Sequence, residues 1–284
     1  MAKVWELFED ECYNYLQEKF FSMEQIEKFG AADSTKADIK ICLDKKEFFI
    51  EVKSSDAQCG QFVLFPNGDT KKFDFSKHNK VSNTTNSKKI ISHMNENFKK
   101  YEKPNTKGIE ISVSENTLHE WICDVYRAKQ VEFFITKGKE FIILPIKKFS
   151  NYFSVTACYR KKRSGSSEPN EKNNLSEIKE GLENEKIIGD VKFIKNEKNR
   201  CFLFTKIDNI DKVKVYCQNY TYYIVNNKHS KKQSKDDGYY VYEIRRLSNT
   251  SNPNVICQLS LIKDTQEQED LLEFSNYIED KENL

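Results

Sequence analysis

Apolar side chains in residues 3–21 recur at three- and four-residue steps, at Trp5, Phe8, Cys12, Leu16 and Phe20. That spacing predicts an amphipathic helix with one buried face. The pattern then changes period. "KADIKICLD" and "KEFFIEVKS" read as two strands joined by a tight turn. "GQFVLFPNGD" reads as a third strand, stopped by Pro66 and a turn. "SKKIISHMNENFKKYEKP" is helical in pattern and ends before Pro104. "SENTLHEWICDVYRAKQ" starts a helix with Ser114 three residues before Thr117 and runs to about Lys129. "VEFFITKGKEFIILPI" predicts a hairpin around Lys137, Gly138 and Lys139.

Residues 164–186 are poor in apolar side chains and rich in Ser, Asn, Glu and Lys, the composition of a linker or exposed insertion. Beyond them come short β-like runs: "RCFLFTKI", "KVKVYC", "YTYYIV", "YYVYEI" and "NVICQLSLI". The expected organisation is a mixed α/β unit over 1–163, a polar linker over 164–186 and a β-rich part over 187–284 packed with the first unit. No run of 18 apolar residues occurs, so no membrane span is expected. The N-terminal stretch carries acids inside its apolar pattern and does not fit a signal peptide.

Charge changes the picture by its distribution. The net charge is only +2, which by itself implies no nucleic-acid partner. Basic residues nevertheless cluster at 159–167, 227–235 and 242–249, while acids gather in "DTQEQEDLLEFSNYIEDKENL". A nearly neutral protein can therefore hold a basic groove. The eight cysteines form no CxxC pair and sit mostly in apolar runs. They read as reduced core thiols, and the four histidines lack zinc-ligand spacing.

The candidate chemistry lies in the first two strands. Glu51 and Lys53 straddle Val52, so their side chains share one sheet face. With a two-residue turn at Lys45 and Lys46, Asp38 comes opposite Lys53 and Lys40 opposite Glu51. Such a set is an ordinary surface salt bridge on many strands. Here the apolar "FFI" leads straight into it, which places the strand in the middle of a sheet. Asp38 follows the small, polar lead-in "AADSTKA". Two carboxylates and a lysine suit metal-assisted phosphodiester hydrolysis. Asp38, Glu51 and the Val52 carbonyl would supply hard oxygens to Mg²⁺, and Lys53 would hold the attacking water and offset charge on the phosphate.

Two further residues are candidates. Glu9 borders the apolar stripe of the first helix, while Asp10 and Glu11 turn away. It is either an edge charge or an acid that reaches the site from beneath the sheet. Gln61 follows Gly60 in the glutamine-containing "AQCGQF", read as a turn. Its amide would hold the scissile phosphate or the water, with Gln58 as the alternative.

Helix, "AD" strand, "IEVK" strand and glutamine turn together resemble the PD-(D/E)xK nuclease superfamily. Asp38 matches its first carboxylate, and Glu51 with Lys53 its ExK pair; Ala37 stands where the proline usually does. A closer resemblance, to type II restriction endonucleases, runs over roughly residues 5–260 and is weakest over 164–240. It rests on "QCGQFVL", "MNENF", "FFIT", "YRKKRSGS" and "LSNT". It implies a restriction-endonuclease-like α/β core and Mg²⁺-dependent cleavage of double-stranded DNA at a short palindrome, GCGC. It also implies a bacterial cytoplasmic setting and a DNA methyltransferase as genetic partner. Mn²⁺ would replace Mg²⁺, and Ca²⁺ would support binding alone. No apolar interface stripe stands out, so a monomer is favoured over a homodimer.

Candidate DNA contacts follow from the basic runs. "YRKKRSGSS" offers Tyr159, Arg160, Lys161, Lys162, Arg163, Ser164 and Ser166, either to guanine edges or to phosphates alone. "RRLSNTSNPN" offers Arg245, Arg246, Asn249 and Asn252. Lys71 and Lys72, with Lys77 and Lys80, would wrap the duplex. Two other readings stay open: another nuclease of the superfamily acting in repair or junction cleavage, and a DNA-binding protein with an inactive core.

Overall fold

The computed structural model describes residues 4–30, 35–44, 46–163, 165–195, 199–226, 235–236, 238–248 and 251–282. The chain divides into two compact units, Met1–Lys161 with Pro253–Leu284, and Lys162–Asn252.

In chain order the first unit contains α1 (Val4–Lys19), β1 (Ile26–Lys28), β2 (Ile39–Leu43), β3 (Lys46–Val52), β4 (Asp56–Asn67) and β5 (Lys72–Phe75). Next come α2 (Thr85–Glu96), α3 (Phe98–Tyr101), β6 (Ile109–Glu110), α4 (Glu115–Arg127), β7 (Val131–Lys137), β8 (Phe141–Pro145), α5 (Phe149–Tyr152) and β9 (Phe153–Arg163). The second unit holds α6 (Glu171–Asn184), β10 (Gly189–Lys195), β11 (Asn199–Thr205), β12 (Lys214–Tyr216), β13 (Thr221–Asn226), β14 (Lys235–Asp236) and β15 (Tyr239–Arg246). The chain then returns to the first unit with β16 (Ser251–Leu261) and α7 (Gln268–Glu282).

Two sheets build the first unit, in the orders β1-β2-β3-β7-β8 and β5-β4-β16-β9-β6. β3 is central, as its unbroken apolar run requires, and is the strand that pairs in parallel with β7. On one side of β3, Phe48, Ile50 and Val52 pack with Cys12 and Leu16 of α1 and Phe274 of α7. On the other side Phe49 joins a core shared by α2, α4 and the second sheet. α4 lies against both sheets. Tyr126 meets Phe134 of β7 edge-on at 5.0 Å, and Trp121 meets Phe62 of β4 at 5.1 Å. Its start is the one read from the sequence: Ser114 Oγ accepts the Thr117 N–H at 3.3 Å.

Several expectations are corrected. The first-unit boundary at 163 misses residues 253–284, because β16 inserts between β4 and β9 and the acidic tail forms α7, with Phe274 fully buried. That pairing is long-range and leaves no local mark. The expected linker over 164–186 contains α6. Ile178 and Leu182 bury one face of it against Val215, Tyr222 and Tyr242, and Gly181 lets Val215 and Cys217 approach closely. Few apolar residues suffice for a helix that covers one sheet face. The "FSVTACYRKKR" run is a strand, β9. β4 continues past the expected stop at Pro66, which pairs with Phe73. The hairpin register is shifted: Leu43 pairs with Lys46, and Lys40 faces Phe49. Lys45 lies outside the described residues.

The second unit is an antiparallel sheet in the order β10-β11-β15-β13-β12, with β14 on β15. All eight cysteines are free. Among the described residues, no helix is long and apolar enough to cross a membrane.

Candidate active site

The register shift is by two residues, so the faces are unchanged. Continuing the Ile39–Ile50 pairing brings Asp38 alongside Glu51. Asp38 Oδ2 accepts the Val52 N–H at 2.9 Å and stands 3.6 Å from Lys53 Nζ. Lys53 Nζ donates to Glu51 Oε1 at 2.5 Å and to the Val52 carbonyl at 3.0 Å. Glu51 is only 2% exposed, and its Oε2 is buried with no hydrogen-bond partner.

These residues open onto a cleft of about 680 Å³ in the first unit. Gln58 and Gln61 face them from β4. Residues three apart on a regular strand point to opposite faces. Here a bulge intervenes: Gly60 pairs with Cys257 but Gln58 with Gln258, so Cys59 is the extra residue. The bulge turns both glutamines to one face, where Gln58 Nε2 donates to Gln61 Oε1 at 3.1 Å. Tyr126 Oη pins it by donating to the Cys59 carbonyl at 2.7 Å. The "AQCGQF" segment is thus a bulged strand and not a turn. Gly60 is small because the Trp121 indole lies against it, where a Cβ would stand 2.7 Å away.

Glu9 belongs to this electrostatic cluster. Burial, with repulsion from Asp38 and Glu51 against attraction from Lys53, raises its pKa to about 7. Asp10 and Glu11 do turn away, to ion pairs with Lys28 and Lys137. Burial raises the Glu51 pKa as well, with Lys53 and Lys129 opposing and Asp38 adding. Burial disfavours the Lys53 ammonium, but Tyr126, Glu51 and Asp38 outweigh it and hold its pKa well above the ordinary value. Tyr126 is itself pushed up by burial and stays a neutral phenol, so the carboxylates carry that effect.

Sequence reasoning missed Lys129 and Trp5 in the cleft. Lys129, just after α4, places Nζ 3.6 Å from Glu51 Oε1 and 4.8 Å from the centre of the Tyr126 ring. Trp5 was assigned to the buried stripe of α1 but is 43% exposed and lines the cleft. A tryptophan at the first turn of a helix, ahead of the packed Cys12 and Leu16, was the available signal.

The donor set fits a hard dication. It consists of Asp38, the uncommitted Oε2 of Glu51 and the Val52 carbonyl. Among the described residues no three His, Cys, Asp or Glu side chains converge to cage a metal unaided. Two carboxylates and a carbonyl leave the remaining positions to water and phosphate, as Mg²⁺ prefers.

The candidate DNA contacts are scattered. Tyr159 is wholly buried in the core, its hydroxyl donating to the Leu64 carbonyl at 2.7 Å, so it does not face a duplex. β9 alternates, and Tyr159 falls on its inward face. Arg160 is half-buried, while Lys161 and Arg163 are exposed; Lys162 is intermediate. Lys71 and Lys72 are exposed at the β4–β5 turn. In the second unit Arg245 is committed internally, 2.7 Å from Glu168 and 2.8 Å from Glu243, with its Nε donating to Ser166 Oγ. Arg246 lies over the Tyr220 ring at 4.5 Å. Asn252 is half-buried, and Ser164 and Asn249 lie outside the described residues.

A mixed sheet with α1 and α7 on one face and α4 on the other, carrying a carboxylate–lysine cleft at its centre, defines a restriction-endonuclease-like fold. A solved structure of HhaI endonuclease in complex with DNA matches it with a TM-score of 0.82 and 33% sequence identity, covering 99% of this chain and 100% of that one. At that identity over the full length, the chain belongs to the HhaI family of type II restriction endonucleases. No family model matches the chain, and no curated protein does.

Proposed function

We propose that the protein is a Mg²⁺-dependent type II restriction endonuclease that hydrolyses phosphodiester bonds in double-stranded DNA at GCGC, as a monomer in the bacterial cytoplasm. A methyltransferase encoded beside it would protect the host. The observation that carries this reading is the convergence of Asp38, Glu51 and Lys53 in one cleft of a chain that matches a DNA-bound endonuclease end to end.

Asp38, Glu51 and the Val52 carbonyl would hold the metal. Bound there, it would polarise the scissile phosphate and lower the pKa of the attacking water. The Lys53 ammonium, kept charged by its two carboxylates, orients the water and offsets negative charge developing on phosphorus. Gln58 and Gln61 present amides to the phosphate from the opposite wall. Glu9 carries a proton below about pH 7 and releases it above. Arg160 to Arg163 at the end of β9 are the proposed base-reading segment, without Tyr159.

Plasmid DNA incubated with Mg²⁺ or with EDTA tests the reading. Discrete fragments whose sequenced ends share GCGC support it. Nicking confined to junctions or damaged sites would point to a repair nuclease, and a gel shift without cleavage to an inactive binding protein. If Arg160 or Arg163 reads guanine, its replacement by Ala costs about 1–3 kcal/mol at the cognate site and less on scrambled duplex. Parallel losses on both would leave only phosphate contact.

A further inference from the structure

Lys129 has no part in the metal–lysine scheme above, yet it points at the same glutamate. Among the groups within ion-pair distance of Glu51 and Lys53 the charges cancel. Asp38 and Glu51 carry two negative charges, and Lys53 and Lys129 two positive ones. Both ammoniums converge on one oxygen, Glu51 Oε1, at 2.5 and 3.6 Å, while Oε2 has no partner. A dication placed against this set adds its charge to a cluster already neutralised. Something has to leave or an anion has to arrive.

Lys53 cannot leave easily. It is anchored by the Val52 carbonyl and sits between both carboxylates. Lys129 is held more loosely. Its contact to Glu51 is longer than a hydrogen bond, and its other contact is the face of the Tyr126 ring. It stands just beyond the C-terminus of α4, where a cation is favoured by the helix dipole, and its backbone is fixed by the turn leading to Gln130, whose φ is 60°. The flexible stem lines the same cleft as Gln58 and Gln61.

We propose that Lys129 is a resident counter-cation of Glu51 that holds the metal affinity of the DNA-free protein low and transfers to a DNA phosphate when the duplex enters. This rests on the nuclease reading of the cleft. Lys129 is then a positioning residue: it makes full metal binding conditional on the arrival of a polyanion.

The test is titration of Mn²⁺ into the DNA-free protein, read by the loss of free-ion paramagnetic resonance signal. Lys129→Met keeps the stem over Tyr126 and removes the charge. It should bind Mn²⁺ more tightly than wild type by on the order of tenfold, the effect of removing one screened charge a few ångströms away. Lys129→Arg should keep the low affinity. Mere damage to the cleft would weaken binding, so a tightened variant is not a folding artefact. With a GCGC duplex added, the difference between Lys129→Met and wild type should shrink, and the variant's duplex binding in Ca²⁺ should lose salt dependence by about one phosphate contact. Equal Mn²⁺ affinity of Lys129→Met and wild type without DNA, while wild type cleaves normally in Mg²⁺, would overturn the role of Lys129 alone. A wild-type protein that neither binds Mn²⁺ nor cleaves would overturn the nuclease reading and this inference with it.

Discussion

Glu51 and Glu243 are both 2% exposed, both lie on a strand, and each precedes a cation by two residues. Each cation also meets a second carboxylate, Asp38 for Lys53 and Glu168 for Arg245. On paper the two clusters are the same motif. Their geometry and surroundings separate them. The Arg245 guanidinium uses one terminal nitrogen for both acids and its Nε for Ser166 Oγ, and Ser166 Oγ also accepts from Tyr223. That is a clamp suited to the fixed fork of arginine, and it does not line the cleft. Lys53 is a point charge, and around it Glu51 keeps an unpartnered oxygen beside an open cleft. An ion network enclosed by the fold holds it together, whereas one that opens onto a cleft can take a ligand.

The comparison breaks most directly at the two cations. Lys53→Ala should lower single-turnover cleavage by about 10³-fold, the scale of a lost transition-state donor. Binding of cognate duplex in Ca²⁺ should persist. Near-wild-type cleavage would return Glu51 and Lys53 to the status of a salt bridge.

Arg245→Ala should instead act on stability. It leaves Glu168 and Glu243 without their shared cation and should cost about 3 kcal/mol in urea unfolding. If the folded fraction cleaves as poorly as Lys53→Ala, the second cluster is part of the DNA chemistry after all and the contrast fails.

Gln58→Ala and Gln61→Ala sharpen the cleft side. Each should slow cleavage roughly tenfold, the worth of one hydrogen bond to a charged group. The double variant should lose less than the product, because each amide orients the other. A dead Gln58→Ala beside a full-rate Gln61→Ala would assign the phosphate contact to Gln58 alone.

The smallest effect concerns pH. The Glu9 pKa is raised from 4.5 to about 7, so ionising it costs the folded protein stability. That cost is absent below about pH 4.5, grows as pH rises toward 7 and is complete above it. Metal-free Glu9→Gln should therefore match wild type in thermal midpoint at pH 4 and exceed it at pH 8. A flat difference across that range would place Glu9 outside the cluster.

Much of the first sheet was legible. The run into Glu51 marked a central strand, and Asp38, Glu51 and Lys53 share a face because strand parity survives an error of two in register. The glutamine pair was only half legible. Gln58 and Gln61 were both named, but as alternatives, since their common face depends on the bulge at Cys59. Tyr159 was misread because "YRKKR" was taken by its charge, while the inward alternation of Phe153, Val155, Ala157 and Tyr159 went unused. Lys129 carried no local signal at all, since its relevance lies in a contact with a distant strand.

The amino-acid order alone determined the periodicities: where helices and strands run, which residues share a face, and that Asp38, Glu51 and Lys53 stand together. These follow from backbone geometry acting over a few residues. Only the tertiary structure decided which charged pair is sealed and which is open, that α7 and β16 complete the first unit, and that Tyr126 and Lys129 reach the site. Those outcomes depend on burial and on pairing between segments far apart in the chain, which brings Lys129 to Glu51 in one cluster and Glu168 to Arg245 in the other.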